Sequence, residues 1–528
     1  MENKEEKLAK KKALLKAIDD LGERSAFLWI IFVTNFLTMI LFGLNATSYI
    51  FITEIPEFFC SIPELTRKKW TIEQIKNVSI TNKCQKYDYN YTQFAELGYD
   101  EALKYIANSE SNPHIIFCPS LTFEESGRST IINEWDLVCD RSLCRPLTYS
   151  MFAFGMTFGS GILGIYADKH GRKTSLIISI ILQTIVGPAS ALVPWFWAFI
   201  IFKFLTGVSI GAMYSSAYTI LTEVARSKRI KVFAAILDAT YSIGTYFVIG
   251  MAYVLPNWRH LQLAISCFIL PMIILIWWIP ESPKWLISQN RYDEAQKIIE
   301  KYCKSFVMTQ TPAAENQTND STLSSSECSP TLEEKKGFFM RNSESLRILF
   351  TQSDLRKKIL FMYFSYYVTS VISYSLAFNV DNFKSDRYIY LSIISIIDII
   401  AHLTTSIILI FLSCRKSLIM MYVIGFIVMI TILAVPVERK IIIVALALVS
   451  KFCFSVSFTA NLVLNSELFP TIVRNTAFGT CLVLSQLGSM SAPFVVDILG
   501  SVTWWLPTTF CKKSFYVYDK TSVDAEVI

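Results

Sequence analysis

Apolar residues along this 528-residue chain gather into eleven stretches of about twenty positions, joined mostly by short turns dense in charge. A bilayer core is crossed by about 20 helical residues, so the pattern predicts an all-α polytopic membrane protein. It places spans at Ala26–Ile50, Leu147–Ala167, Thr174–Val193, Trp195–Leu221, Val232–Leu255 and Leu261–Ile279. After a polar stretch, residues 281–358, it places five more at Ile359–Phe378, Ile389–Leu412, Ser417–Val435, Ile441–Leu464 and Ala477–Leu499. Within that stretch Thr309–Glu334 is rich in Ser, Thr, Pro and Glu, the composition of an unstructured linker. Residues 1–25 precede the first span, residues 51–146 form a polar insertion behind it, and 501–528 make a polar tail.

Composition agrees: 52% of residues are hydrophobic and 17% charged, against about 25% charged in a soluble domain. The net charge of +6 suggests an anionic partner until the bases are located. Lys169, Arg172, Lys173, Arg226, Lys228, Arg229 and Lys231 crowd the turns on one side, which is the positive-inside pattern and calls for no nucleic acid. The first forty residues run from a Lys/Glu-rich segment into a stretch too long for a signal peptide, so the first span is expected to direct its own insertion.

Parity from a basic, cytoplasmic N-terminus puts the 51–146 insertion outside the cell. Its contents fit an oxidising compartment: Cys60, Cys84, Cys118, Cys139 and Cys144 account for five of 12 cysteines. Two disulfides are expected among the first four, in a pairing that spacing leaves open, with Cys144 the odd thiol. Asn77-Val-Ser79 and Asn90-Tyr-Thr92 are the glycosylation sites expected here. The same motif at Asn45 falls inside a span, and at Asn316 and Asn319 it falls in the linker placed inside the cell.

The turn between the second and third spans reads Gly164-Ile-Tyr-Ala-Asp168-Lys-His-Gly171-Arg172-Lys173. Asp168 ends one helix, Gly171 permits a tight backbone, and the two bases are available to carboxylates or helix C-termini of the neighbouring half. Such a cluster can lock a gate, although alone it reads equally as a solvated basic loop. Three further segments accompany it: Asn133-Glu-Trp-Asp-Leu-Val-Cys139, Pro280-Glu-Ser-Pro-Lys-Trp-Leu286 and Glu467-Leu-Phe-Pro-Thr-Ile-Val-Arg474, with Pro256-Asn-Trp-Arg259 between spans five and six. Together these resemble the organic-ion transporter family of the major facilitator superfamily, from about Ala26 to Pro507. The resemblance implies two six-helix bundles around a polar cavity that opens alternately to each side, with no cofactor. A weak internal repeat agrees. Lys203-Phe-Leu leads to Glu223 and Arg229 in span four, and Lys451-Phe-Cys leads to Glu467 and Arg474 in span ten. The second copy of the turn is eroded to Ser413-Cys-Arg-Lys416.

Ionisable residues deep in spans cost roughly 2.5–3.5 kcal/mol each on insertion scales and so are functional candidates. Lys203, Asp238, Asp398, His402 and Lys451 qualify. The plain reading has them paired to tie helices together, Lys203 with Asp238 for instance. Asp398 and His402, four apart on one helix face, suit a cation or a proton better, and His402 predicts pH-dependent transport between roughly pH 5.5 and 7.5.

By the same resemblance, substrate charge is read in span eleven, where cation carriers place an acid and anion carriers an arginine. This chain has Gln486 there, before Gly488 and Pro493, while Asp398 and His402 stand where anion carriers place an acid and a lysine. Tyr363, Tyr366, Tyr367 and Tyr374 of span seven match aromatic positions whose rings suit organic ions, or else simply pack. The expectation is a plasma-membrane carrier of small organic ions, cations or zwitterions favoured over anions. An enzyme is disfavoured, since four histidines without a paired-His metal motif, a Walker loop or a nucleophile elbow offer no catalytic centre. The other rival is a non-transporting relative, because the tail from Thr508 to Ile528 shows no twelfth span where the family pattern expects one.

Overall fold

The computed structural model describes residues 25–108, 114–124, 127–225, 227–302, 346–380, 386–436 and 438–499, with scattered positions from 10 to 21. The patch Thr309–Glu334 and the tail beyond 499, with the expected absence of a twelfth helix, lie outside these residues.

Eleven helices among them are long and apolar enough to cross a membrane. The first span is Ala26–Ile52, the second Cys144–His170, the third Arg172–Leu192, the fourth Phe196–Val224 and the fifth Ser227–Val254. The sixth comes in two pieces, Trp258–Cys267 and Leu270–Leu275, because Pro271 has no N–H to offer the carbonyl four residues back. The second half holds Ser353–Phe378, Arg387–Phe411, Cys414–Ala434, Lys440–Leu468 and Thr471–Phe494, the seventh to eleventh spans. A π-helical turn, Val495–Leu499, closes the eleventh just after Pro493. Trp195 and Trp197 at one end of the bundle and Trp29, Trp277 and Trp278 at the other are exposed, the positions of an interfacial aromatic belt.

Small residues set how closely helices approach. A Cβ on Gly155 or Gly159 of the second span would collide with backbone of Phe204 or Val208, and one on Gly207 or Gly211 of the fourth with Phe152 or Met156. These reciprocal Gly-x-x-x-Gly faces bring the second and fourth spans backbone to backbone. Gly43 and Gly244 do the same for the first and fifth. The halves meet along the fifth and eighth spans and along the second and eleventh.

The insertion folds as a small domain and is the departure from an all-α chain. Strands β1 (Phe58–Cys60) and β5 (Leu121–Phe123) pair antiparallel, and β2 (Ile80–Asn82), β3 (Gln85–Tyr87) and β4 (Ile115–Phe117) make a second sheet in that order. Leu65, Ile75, Val78 and Phe94 form its core. Cys60 is bonded to Cys118 and Cys84 to Cys139, and Cys144 carries a free thiol. Asn77 and Asn90 are exposed, and Asn90 also caps the helix Tyr91–Leu97 by accepting from the N–H of Gln93.

Two sequence segments dock this domain on the first half. Ser129 exchanges backbone hydrogen bonds with Pro256 and Trp258 at 3.1 and 3.2 Å. Glu134 accepts from the Trp258 indole at 2.7 Å and pairs with Arg259, whose guanidinium also donates to the carbonyls of Ala191 and Val193.

Candidate functional site between the two halves

At the bundle end away from the domain, Gly171 adopts φ +109° and lets the chain reverse between the second and third spans. Arg172 then folds back on its own half, pairing with Asp168 at 2.8 Å and with Glu223 of the fourth span at 3.1 Å. Glu281, from the segment after the sixth span, sits over the first turn of the third and accepts from the backbone N–H groups of Arg172 and Lys173 at 3.0 and 3.2 Å. A carboxylate suits a helix N-terminus, where unpaired N–H groups converge. Burial nevertheless raises the Glu281 carboxyl above its ordinary value, against the pull of those donors and of Arg172. Ser282 donates to Glu223 and the Trp285 indole donates to the Asp168 carbonyl at 2.9 Å. The sequence expectation had Arg172 available to the neighbouring half. Here, among the described residues, its carboxylate partners Asp168 and Glu223 both belong to the first half.

Midway through the bundle the buried charges are sorted differently from the expected pairing. Lys203 donates to Gln262 of the sixth span at 2.9 Å and lies over the Phe199 ring, not against Asp238. Lys451 pairs with Asp398 at 3.2 Å, and Ser455, one turn further along the tenth span, donates to the other Asp398 oxygen at 2.5 Å. One more turn brings Thr459, whose hydroxyl lies 2.8 Å from His402 Nδ1 and 3.1 Å from Asp238 Oδ2. Residues 451, 455 and 459, spaced by four, share a face of the tenth span and meet 398 and 402 on the eighth. Asp238 reaches the same face from the fifth span, in the other half.

At the domain end, ion pairs cross between the halves. Arg145 of the second span pairs with Asp497 in the π-helical turn at 3.1 Å and donates to the Thr53 carbonyl at 3.0 Å. Arg387 of the eighth span pairs with Glu54 at 3.2 Å and donates to the Ile50 carbonyl. Arg128 of the domain joins Glu54 at 3.8 Å, Tyr388 at 2.6 Å and the Leu255 carbonyl at 3.2 Å. Burial lowers the Arg128 guanidinium from its ordinary range, with Tyr388 and Glu54 opposing. Beneath these pairs the rings of Tyr49, Tyr149, Tyr374 and Phe378 pack together. At the opposite end Tyr218 stacks on Phe478 across the halves.

Residues 78–517 match the family described as sugar (and other) transporter. The chain belongs to that family. It is a multi-pass membrane transporter, and the residues above are read as parts of one. It is 28% identical over 512 residues to the organic cation transporter protein of Drosophila melanogaster, covering 94% of this chain and 88% of that one. It is 30% identical over 388 residues to organic anion transporter 3 of Rattus norvegicus, covering 72% and 69%. A solved proton:xylose symporter of the major facilitator superfamily, bound to 6-bromo-6-deoxy-D-glucose, superposes with a TM-score of 0.58 at 14% identity, covering 95% of each chain. That likeness fixes the fold.

Of the residues singled out in the transporter's sequence, Asp398, His402, Lys451 and Asp238 converge. Gln486 lies half-buried on the eleventh span, accepting from Ser489 of its own helix at 3.2 Å, while Tyr367 touches Ser491 at 3.2 Å across the seventh–eleventh seam. Tyr363 is partly exposed on the same helix as the fully buried Tyr366, and Tyr374 joins the aromatic cluster at the domain end. Gly164 has room around it: a Cβ added there would meet Ser215 Oγ at an ordinary 3.6 Å. Arg474 donates to the Phe469 carbonyl, Glu467 is exposed, and the Arg229 side chain lies outside the description. The domain-end pairs were missed. Arg145 and Arg387 each stand two residues before a predicted span and Asp497 lies inside one, yet nothing in the sequence pairs them. A buried set, Ser365, Thr369, Tyr422 and Asn461, tying the seventh, ninth and tenth spans, was also missed, since hydroxyls scattered in apolar runs give no signal until helices are paired.

Proposed function

We propose that this transporter carries small organic ions, cations favoured, across the plasma membrane by alternating access, with the domain outside the cell. The supporting observation is the Asp398–Lys451 pair. Lys451 gives Asp398 an internal cation, and an incoming organic cation exchanges for it, so the carboxylate is never left buried without a partner. Ser455 keeps the carboxylate aimed during that exchange. Gln486, Tyr363, Tyr367 and Tyr374 offer an uncharged amide and ring faces to the organic part of the substrate. The ion pairs at the domain end hold the halves together there, a state closed to the outside, while Tyr218 and Phe478 make a lighter contact on the inner side. The Asp168, Arg172, Glu223 and Glu281 cluster braces the first half as a rigid body during the rocking motion.

A second reading, an organic anion carrier, uses the same pair in the opposite sense, with the anion taking Lys451 from Asp398. The deciding experiment is a competition panel of fixed-charge cations, anions and zwitterions on cells expressing the chain. Uptake of cations, blocked by cations alone, supports the first reading; inhibition by anions alone refutes it.

A further inference from the structure

The transport reading leaves one buried feature unused. Asp238 Oδ2, Thr459 Oγ1 and His402 Nδ1 form a continuous hydrogen-bonded chain, with steps of 3.1 and 2.8 Å. Thr459 and His402 are 3% and 7% exposed, and Asp238 is partly exposed. A hydroxyl carries one proton, so Thr459 can donate to one neighbour only and must accept from the other. The chain therefore has a direction, and reversing the direction moves a proton.

We propose that a proton is bound and passed along Asp238, Thr459 and His402, and that it is the ion coupled to the transport cycle; this rests on the alternating-access reading above. In one state the Asp238 carboxylic acid donates to Thr459, and Thr459 donates to a neutral His402 at Nδ1. In the transfer, the Asp238 O–H bond breaks, the Thr459 oxygen takes that proton and releases its own to Nδ1. The products are an Asp238 carboxylate, a Thr459 that now donates to it, and a His402 imidazolium; no electrons or further reactants are involved.

The placement of the groups gives the transfer its meaning. Asp238 rides on the fifth span, in the first half, whereas Thr459 and His402 ride on the tenth and eighth, in the second. The proton can cross only while the halves are together at this level. When they part, it stays with one of them. Asp398, one turn before His402 on the same helix, faces the imidazole together with its partner Lys451, so charge created on His402 is felt at the substrate pair. Among the described residues, the other titratable groups facing the chain are Tyr214 and Tyr218 of the fourth span toward Asp238, and Tyr241, Tyr374 and Tyr390 toward Asp398. The first span, packed along the fifth, carries Tyr49 near its end, in the aromatic cluster at the domain end. None of these offers a second carboxylate or imidazole to replace a link.

The test uses the full-length chain in proteoliposomes with tetraethylammonium and benzenesulfonate, whose charges do not change with pH. One proton moved per substrate makes a one-unit pH gradient shift the steady-state accumulation ratio about tenfold. Because that ratio is independent of turnover rate, a slow variant still reports it. Wild type and Thr459→Ser should give about tenfold for the transported probe, and Thr459→Val and Asp238→Asn about onefold. In parallel, infrared difference spectra on a pH jump should contain a carboxylic acid band that is lost in Asp238→Asn and shifted in Thr459→Val. A wild-type ratio that ignores the gradient, or a Thr459→Val ratio equal to wild type, overturns the proposal. If wild type accumulates neither probe, the carrier reading fails for these two charge classes and the infrared band decides alone. An Asp238-dependent band sensitive to Thr459 keeps the proton site, and its absence removes it.

Discussion

Arg145 at the head of the second span and Asp497 in the π-helical turn closing the eleventh stand 3.1 Å apart, and their pair joins the two halves of the transporter. Both side chains are largely buried, at 11% and 17% exposure, so this is not a screened surface contact. Asp497→Asn should weaken the closed domain end by about 2 kcal/mol, the scale of a hydrogen bond to a charged group, and shift the population roughly thirtyfold toward a state open at that end. Labelling of Ser491→Cys by an impermeant thiol reagent, in a Cys144→Ser background, should accelerate accordingly. The swap Arg145→Asp with Asp497→Arg should restore slow labelling. Equal labelling rates in all three would leave the pair without a role in closure.

Asp398 and Lys451 yield a prediction of opposite signs. Asp398→Asn should abolish organic-cation uptake, whereas Lys451→Met should lower KM for cations about tenfold by removing the competing ammonium, if that competition is worth about 1.4 kcal/mol. Gln486→Asp should add to cation uptake. Should Lys451→Met instead eliminate anion uptake while Asp398→Asn spares it, the anion reading takes over.

Arg172 and Gly171 should affect rate and not choice. Arg172→Gln breaks contacts to Asp168 and Glu223 alike, and Gly171→Ala both strains a φ of +109° and drives a Cβ into the Glu281 carboxylate. The strain alone is about 1–3 kcal/mol. Maximal rates should fall for every substrate by a similar factor, because a brace changes conformational populations and not ligand contacts. A reordered substrate ranking in uptake assays would place Arg172 in the binding site.

Glu281 sets a pH dependence of stability. Burial raises its carboxyl above the ordinary 4.5, so the folded protein holds a proton that the unfolded chain has released. Its contribution is therefore full below about pH 4.5 and is lost as pH rises through the folded-state value. Melting temperatures in detergent should fall less steeply over that window in Glu281→Gln than in wild type. The variant should also melt lower throughout, since an amide cannot accept with both atoms at the third span's N-terminus. Parallel melting curves would assign no titration to Glu281.

The spans were legible because apolar run length is a local property that lipid enforces residue by residue. Asp398 and His402 were legible too, since a charge inside an apolar run is conspicuous. Their partners were not. Pairing Lys203 with Asp238 follows from opposite charge alone, but the fold sends Lys203 toward the sixth span and Asp238 toward the tenth. The seal at the domain end was invisible for a different reason. Glu54, Arg128 and Arg387 occupy polar segments where charge is ordinary, and only the closure of one half against the other brings them together.

Arg128 gives the domain a lever arm. Its backbone neighbour Ser129 is fastened to Pro256 and Trp258 of the first half, yet its guanidinium grips Tyr388 at the start of the second half's eighth span. Opening the domain end obliges that grip to slip while the fastening holds. A load applied to the domain is therefore felt as a change in opening work. An antibody fragment that bridges the domain to the start of the eighth span should act as a brake without ever approaching the substrate.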